Sequence, residues 1–385
     1  MNNTQNFSFQ YLNSIDQIAR TDWDKICARD YPFLRHDFLA ALEHSHSVGG
    51  NSGWQPYHLT AYNNGTLVAV MPLYIKSHSY GEYVFDWAWA DAYRRHAVDY
   101  YPKLLSAIPF TPASGPRLCV TKGVDKNALM NAIVADIQTQ TRSGLFSSWH
   151  LLFPDSNEFE DWQQTALRPR SGCQFHWFNR NYGNFDDFLA GFTSRKRKNI
   201  KRERRRVTEQ EVELKQVSGA QLTEQHIHDF YLFYQATYLK RGQQGYLTLP
   251  FFLELRLKMA DQLLMVIAEK AGKAVAAALC FHDKETLYGR YWGCLEEYEC
   301  LHFEACFYQG IEFCIANGLQ RFDPGAQGEH KILRGFEPVT THSLHWIEHT
   351  EFRQAIERFL GQEKLGVAQY QEQATQLLPF KKQNE

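Results

Sequence analysis

Residues 264–282 read LMVIAEKAGKAVAAALCFH, and residues 58–75 read HLTAYNNGTLVAVMPLYI. Each stretch places two apolar runs around a turn that contains glycine, a pattern typical of a β-hairpin. The turn glycines, Gly65 and Gly272, lie 207 positions apart. The two hairpins therefore indicate that the chain contains the same structural unit twice.

A similar offset relates the segments around the hairpins, which supports a tandem duplication. The alternative is a pair of unrelated α/β halves whose hairpins coincide. In the first copy we predict a strand at Phe7–Leu12, helices at Asp16–Ala28 and His36–His46, an aromatic strand around Tyr80–Tyr83, a helix at His96–Ile108 and then Phe110-Thr111-Pro112. In the second copy the corresponding segments are Val212–Val217, Leu222–Arg241, Pro250–Gln262, Tyr288–Tyr291, His302–Asn317 and Phe322-Asp323-Pro324.

This order of elements predicts an α/β (α+β) fold with mixed, mostly antiparallel sheets flanked by helices. We expect an N-terminal unit over residues 1–180, a basic helical connector over 181–210 and a C-terminal unit over 211–385. A chain of 385 residues is long enough for two such units.

Composition excludes several functional classes. The 41 Lys and Arg nearly balance the 43 Asp and Glu, so the chain is not a bulk nucleic-acid binder. No apolar run reaches the length of a membrane span and the first residues do not resemble a signal peptide, so we expect a cytoplasmic protein. None of the eight cysteines forms a C-x-x-C pair, and the spacing of the last four fits no zinc site, so we expect no metal.

Residues 321–336, RFDPGAQGEHKILRGF, contain the densest set of reactive side chains. The carboxylates and the imidazole are able to take a proton from an amine, and the cations are able to hold a phosphate or carboxylate. The first copy continues after Phe110-Thr111-Pro112 as ASGPR and lacks most of these charges, so we place the chemistry in the second unit. The alternative is a structural turn whose charges pair with one another. The candidate catalytic residues are Asp323, Glu329 and His330, and the candidate substrate-binding residues here are Lys331 and Arg334.

Further substrate-binding residues are predicted elsewhere. Asp86 stands between Phe85 and Trp87, where a carboxylate either orients an amine acceptor or pairs with an arginine. A glycine-containing turn after Lys240 and an aromatic strand in the second copy also have polar groups. The additional candidates are Tyr83, Asp86, Lys103, Arg241, Tyr246, Tyr291 and Trp292.

Residues 195–206 hold nine Lys or Arg and one Glu. At 3.6 residues per turn these cations cover every face of a helix, so the helix must meet water or an anion. We predict that Arg195, Lys196, Lys198 and Arg202 bind the donor through its phosphates, which belong to transfer RNA, a coenzyme diphosphate or a nucleotide-linked substrate. The alternative is a solvated helix between the units.

Several motifs together resemble the FemAB-like predicted N-acyltransferases of the peptidoglycan biosynthesis/recognition type. The resemblance implies two tandem units of the GCN5-related N-acetyltransferase fold. It also implies transfer of an acyl or aminoacyl group, from acyl-CoA or aminoacyl-tRNA as co-substrate, to an amine without a tightly bound cofactor. The alternative is a non-catalytic module that binds a cell-wall precursor or RNA. The motifs are Pro32-Phe33-Leu34, Gly53-Trp54-Gln55-Pro56, GEYVFDW at 81–87, Tyr101-Pro102-Lys103-Leu104, Pro109-Phe110-Thr111-Pro112 and SRKRKNI at 194–200.

One departure from the acetyltransferase pattern concerns the donor. Acetyl-CoA enzymes usually carry a glycine-rich turn after the strand that corresponds to Tyr288–Tyr291. Here residues 294–301 read CLEEYECL, without glycine and with a net negative charge. A cradle of backbone N–H groups for a diphosphate is not visible, which favours aminoacyl-tRNA over coenzyme A.

Overall fold

The computed structural model describes residues 6–27, 30–240, 242–326 and 328–381. The chain forms two compact units. Unit 1 comprises Met1–Gly172 and Thr340–Ala368, and unit 2 comprises Cys173–Val339 and Gln369–Glu385. The observed division differs from the predicted one, because residues 340–368 return to the first unit and the predicted connector is part of the second.

Most strands pair antiparallel. Within the described residues they are β1 Phe7–Leu12, β2 Trp54–Pro56, β3 His58–Asn63, β4 Thr66–Met71, β5 Tyr74–Lys76, β6 Lys103–Ser106, β7 Cys119–Val120, β8 Ser148–Leu152, β9 Arg168–Phe178, β10 Val212–Ser218, β11 Leu263–Lys270, β12 Lys273–His282, β13 Thr286–Cys294, β14 Arg321–Asp323 and β15 Glu337–Ile347.

The α-helices of the described residues range from one turn to more than seven turns. They are α1 Arg20–Ile26, α2 His36–His44, α3 Trp87–Arg95, α4 Lys126–Arg142, α5 Ser156–Trp162, α6 Phe185–Ala190, α7 Ser194–Glu209, α8 Glu224–Leu239, α9 Leu249–Met259, α10 Leu301–Phe303, α11 Gln309–Asn317 and α12 Thr350–Gln376.

Unit 1 contains a four-stranded antiparallel sheet in the order β1-β3-β4-β7. It also contains strands in the order β15-β8-β6-β5-β2, where only β6 and β8 run parallel. The apolar face of α4, with Leu129, Ile133 and Ile137, is buried in a core with Trp149 and Trp162. The predicted hairpin at Gly65 is confirmed, and Asn64 and Gly65 both have positive φ, as a tight primed turn requires.

Two predictions for unit 1 are wrong. The aromatic strand around Tyr80–Tyr83 is an irregular segment, because Gly81 and Tyr83 both have positive φ, which interrupts an extended strand. The helix at His96–Ile108 is replaced by the strand β6, while the helix nearby is α3, which ends at Arg95. Pro102 explains this difference, since proline disfavours a helical conformation in the residue before it.

Unit 2 has strands in the order β10-β11-β12-β13-β14-β9. All neighbours are antiparallel except β13 and β14, which run parallel. The predicted hairpin at Gly272 and the predicted helix at His302–Asn317 are confirmed, the latter as α10, a π-helical turn at Glu304–Tyr308 and α11. A Cβ on Gly310 would lie 2.4 Å from the Phe322 ring, so glycine lets α11 pack closely on β14.

In the part of the chain that the structure describes, no helix combines the length and the apolar character needed to cross a membrane.

Candidate functional site

Unit 2 contains a cavity where two parallel strands part. β13 and β14 pair from Thr286↔Arg321 to Tyr288↔Asp323, and β14 ends there while β13 continues to Cys294. Beyond the last pair, a cavity of about 290 Å³ is lined by Gly289, Arg290, Tyr291 and Trp292 on β13 and by Pro324, Gly325 and Ala326 after β14. The separation of the strands therefore leaves space for a ligand beside the backbone of β13.

Two local irregularities shape the wall of this cavity. Along β12, Leu279 pairs with Tyr291 and Cys280 pairs with Gly289, so Arg290 is the extra residue of a β-bulge. The π-helical turn after α10 contributes Cys306 and Phe307 to the lining. Both kinds of irregularity occur frequently at functional sites.

Asp323, at the end of β14, forms a two-point ion pair with the bulge residue. Arg290 Nη2 donates to Asp323 Oδ2 at 2.6 Å and Nη1 to Oδ1 at 3.3 Å, and the Gly325 N–H donates to Oδ1 at 2.9 Å. Burial alone would raise the pKa of Asp323, but Arg290 and these hydrogen bonds hold it well below its usual range. Asp323 is thus a stable carboxylate that fixes Arg290 and the start of the next loop.

Lys331 and His330 bring titratable groups to the cavity. Lys331 is buried, its Nζ donates to Gly325 O at 2.6 Å, and burial lowers the pKa of its amine to about 8. His330 is exposed to solvent, yet partial desolvation and the nearby charges of Lys331 and Arg334 lower the pKa of its imidazole. At neutral pH the site therefore combines an ammonium with an uncharged imidazole.

The other charged residues of 321–336 are not among the described residues that line the cavity. Arg334 Nη2 donates to both carboxylate oxygens of Glu203 at 2.9 Å, and its guanidinium stacks 3.4 Å from the Phe303 ring centre. Glu329 accepts a hydrogen bond of 2.9 Å from the Tyr370 hydroxyl. The guanidinium predicted to hold a substrate anion is therefore occupied by a carboxylate of the basic helix.

Of the other predicted substrate-binding residues in the second copy, Tyr291 and Trp292 line the cavity. Tyr246 is half-buried after α8, with its ring 6.1 Å from that of Tyr238, and is not in the described lining. Arg241 lies outside the described residues. Reasoning from the sequence missed Arg290 and His302, and only the aromatic strand pattern drew attention to this part of the chain.

The cations of α7 fall into two groups. In the first group, Lys201 pairs with Asp186, Arg204 with Glu304 and Glu312, and both Arg205 and Arg206 with Glu209. The second group contains the cations of α7 for which the described residues provide no carboxylate partner. These are the four predicted donor-binding residues, Arg195, Lys196, Lys198 and Arg202, together with Arg197.

The predicted substrate-binding residues of the first copy lie in unit 1. Lys103 does not lie in the predicted helix at His96–Ile108, since it is a completely buried residue of β6. Asp86 pairs with Lys103 rather than with an arginine, and it accepts a hydrogen bond of 2.6 Å from the Tyr100 hydroxyl. Tyr83 is half-buried in the irregular segment that precedes α3.

No group of three or more His, Cys, Asp or Glu side chains within the described ranges is arranged to hold a metal ion.

Comparison with known proteins supports the fold and the resemblance. The sequence pattern of the FemAB-like family, described as peptidoglycan biosynthesis/recognition, matches residues 14–382. The structure of FemX is similar over 88% of this chain and 98% of that chain, with 10% identity and a TM-score of 0.53. The C-terminal domain of a putative lysylphosphatidylglycerol synthetase from Agrobacterium fabrum is similar over 88% and 95%, with 9% identity and a TM-score of 0.52.

At such low identity these likenesses establish the fold alone. The predicted fold class, two tandem acetyltransferase-like α/β units, is confirmed. A search of curated protein sequences finds no match.

Proposed function

The chain belongs to the FemAB-like family of peptidoglycan biosynthesis/recognition proteins, and we propose that it transfers an acyl or aminoacyl group to an amine acceptor in the cavity of unit 2. The family and the fold support a peptidoglycan-related acyl or aminoacyl transferase. We propose this reaction with its donor and acceptor, and we propose that it takes place in the cytoplasm. An amine of a cell-wall precursor is the acceptor class that the family suggests.

The cavity between the parted strands, with His330 and Lys331 beside it, is the observation that carries the proposal. N-acyl transfer requires an uncharged amine and stabilisation of the oxygen that becomes anionic in the tetrahedral intermediate. The uncharged imidazole of His330 takes the proton of the attacking amine. The Lys331 ammonium stabilises the developing oxyanion, and His330 returns the proton to the thiol or ribose hydroxyl that leaves.

Direct transfer, without a covalent enzyme intermediate, agrees with the thiols in the lining. Burial raises the pKa of Cys280 to about 12 and that of Cys306 well above its ordinary value. A thiol attacks as its thiolate, so these two cysteines are poor nucleophiles at neutral pH. Neither the His330 imidazole nor the Lys331 amine needs to form a bond to the acyl group in this scheme, because the acceptor amine attacks the donor directly.

Asp323 acts as a positioning residue in this proposal. Its ion pair with Arg290 connects the end of β14 to the bulge of β13, and its contact with the Gly325 N–H fixes the loop whose carbonyl group accepts from Lys331. The carboxylate therefore keeps the end of β14 at a fixed distance from β13 at the opening of the cavity. Its low pKa makes it a weak proton acceptor.

Aminoacyl-tRNA is the donor that the charge distribution favours. The segment after β13 exposes Glu296, Glu297 and Glu299, and a coenzyme diphosphate near these carboxylates would be repelled. Helix α7 offers the five cations without carboxylate partners, which suit a phosphate backbone. Both acyl-CoA and aminoacyl-tRNA should be tested as donors, and we expect aminoacyl-tRNA to be the one used.

The test is a transfer assay with purified protein, labelled aminoacyl-tRNA or acyl-CoA, and an amine-bearing cell-wall precursor. The wild type should form a labelled amide, and His330→Ala should lower the rate by about 10²–10⁴-fold. His228→Ala, which changes an exposed histidine of α8, is the matched control and should keep the wild-type rate. If the wild type binds RNA or precursor but transfers no acyl group from any donor, the non-catalytic binding module is the better account.

A further inference from the structure

Two lysines of unit 1 occupy an energetically unfavourable position. Lys76 on β5 and Lys103 on β6 are direct cross-strand partners, so their side chains project from the same face of the sheet. Both residues have 0% exposure to solvent. Like charges placed opposite each other on neighbouring strands repel, and burying an ammonium is costly unless it is paired.

Among the described residues, the hydrogen-bond partners of these two ammonium groups all come from one stretch of chain. We call residues 77–86 the acidic segment; it connects β5 to α3 and has neither helix nor strand. Lys103 Nζ donates to Ser79 Oγ and Glu82 Oε2, each at 2.9 Å, and to Asp86 Oδ2. Lys76 Nζ donates to the Tyr80 carbonyl at 3.3 Å. The sheet supplies the positive charges and the acidic segment supplies the negative ones.

In this arrangement of the described residues, each of the two carboxylates of the acidic segment has only one oxygen that accepts a hydrogen bond. Glu82 Oε1 and Asp86 Oδ1 are buried without a hydrogen-bond partner, although both side chains are almost completely buried. Such orphaned oxygens oppose burial of the acidic segment. Burial also raises the pKa of Glu82 to about 7 and lowers that of Lys76 to about 7, which agrees with charges that are incompletely stabilised.

Displacing the acidic segment would expose little apolar surface. Of its large side chains, Tyr80 and Phe85 are already 55% and 54% exposed, while Tyr83 is half-buried. Apart from the contacts with the lysines, its backbone is held by hydrogen bonds. Trp54 Nε1 donates to Tyr80 O at 3.2 Å, Arg170 Nη1 donates to Phe85 O at 2.9 Å, and the Ser77 N–H donates to Gly53 O at 3.3 Å. The segment is thus attached mainly through polar contacts that a ligand or water is able to replace.

We propose that Lys76 and Lys103 form a binding site for a small dicarboxylate, and that the acidic segment closes this site by placing its own two carboxylates where those of the ligand bind. Two adjacent ammonium groups match two carboxylates, and Glu82 and Asp86, which both accept from Lys103, show that carboxylate groups fit beside that ammonium. A bound dicarboxylate would leave the segment free to move away with its aromatic side chains. The inference concerns unit 1 and does not depend on acyl transfer in unit 2.

The test is calorimetric titration of the full chain with glutarate, with pyrophosphate as the competing anion. The double variant Glu82→Gln/Asp86→Asn removes the internal competitor, so it should bind glutarate roughly 10-fold more tightly than the wild type. Adding Lys103→Met should abolish that binding. Asp161→Asn, which removes an exposed carboxylate paired with Lys126, is the control and should behave as the wild type.

Three outcomes would overturn the inference. These are the absence of glutarate binding in the double variant, weaker binding than in the wild type, and a preference for pyrophosphate. The last would assign the site to phosphate groups instead of carboxylates. Should the double variant fail to fold, hydrogen exchange of the wild type replaces it: glutarate should increase amide exchange in residues 77–86, and unchanged exchange at saturating glutarate would contradict the proposal.

Discussion

Arg290 donates to both carboxylate oxygens of Asp323, at 2.6 and 3.3 Å, across the point where β13 and β14 part. The two side chains are only 2% and 1% exposed, so the ion pair is almost free of solvent. One partner is the extra residue of a β-bulge and the other ends a strand. The pair therefore joins the two walls of the cavity by a contact that neither strand makes through its backbone ladder.

Replacing Asp323 with Asn should destabilise the protein by about 3–5 kcal/mol, because it leaves the buried Arg290 guanidinium without its counter-charge. Urea denaturation followed by circular dichroism measures this loss. Glu269→Gln is the control, since its pair with Lys215 is largely exposed and should contribute less than about 1 kcal/mol. Equal effects of the two substitutions would show that the Arg290–Asp323 pair is not structurally important.

The stability of this pair should depend on pH in one direction. The folded-state pKa of Asp323 lies below that of the unfolded chain, so its contribution is present above about pH 4 and is lost as the pH falls further. Denaturation midpoints of the wild type should therefore drop steeply in acid, and those of Asp323→Asn should drop less. A parallel decline in both proteins would rule out this assignment.

Lys331 should set the alkaline limit of activity. Its ammonium form stabilises the oxyanion in the proposed reaction, so the rate should fall as the pH rises through about 8. Lys331→Arg should move this limb to higher pH, and Lys331→Met should lower the rate about 10²–10³-fold. Lys273→Met, at an exposed hairpin position, is the control. A wild-type alkaline limb that persists in Lys331→Met would assign the titration to another group.

Two glycine substitutions should have opposite effects on stability. A Cβ on Gly293 would lie 2.1 Å from the backbone of Phe233, so Gly293→Ala must push α8 away from β13 and should cost more than about 1 kcal/mol. A Cβ on Gly361 meets open space within α12, so Gly361→Ala should stabilise by about 0.5–1 kcal/mol. Thermal unfolding measures both, and destabilisation by both would refute the packing argument.

RNA binding should depend strongly on salt through helix α7. If its five unpaired cations each meet a phosphate, the logarithm of the association constant should fall with that of salt with a slope of up to about −4. Replacing Lys196 and Lys198 with Gln should reduce the slope by about two. The same change at Arg205 and Arg206, which already pair with Glu209, should have a smaller effect. Tight binding that is insensitive to salt would contradict this role.

The sequence predicted the features that depend on local pattern. The hairpins around Gly65 and Gly272 follow from turn residues between apolar runs, and the helix at His302–Asn317 follows from its apolar stripe. The reactive segment 321–336 was found from the density of its side chains, and it lies next to the cavity. These features need no knowledge of which distant elements meet.

The features that the sequence did not predict depend on long-range contacts. Lys103 was predicted to lie in a helix at His96–Ile108, and nothing near it in sequence shows that it pairs with Lys76 on a buried strand. Arg290 lies in the site because it is the extra residue of a β-bulge. Arg334 lies outside the described lining and pairs with Glu203 of α7. The return of residues 340–368 to unit 1 likewise depends on contacts between segments far apart in the chain.

The most direct test of the central claim is a single-turnover transfer rate after the cavity of unit 2 has been filled. Ala326 lies in the lining and belongs to the loop after β14, so Ala326→Trp places an indole in the cavity without changing a charged group. We predict that this variant unfolds at nearly the wild-type temperature and transfers no acyl group. A folded Ala326→Trp protein that transfers at the wild-type rate would show that the reaction takes place elsewhere.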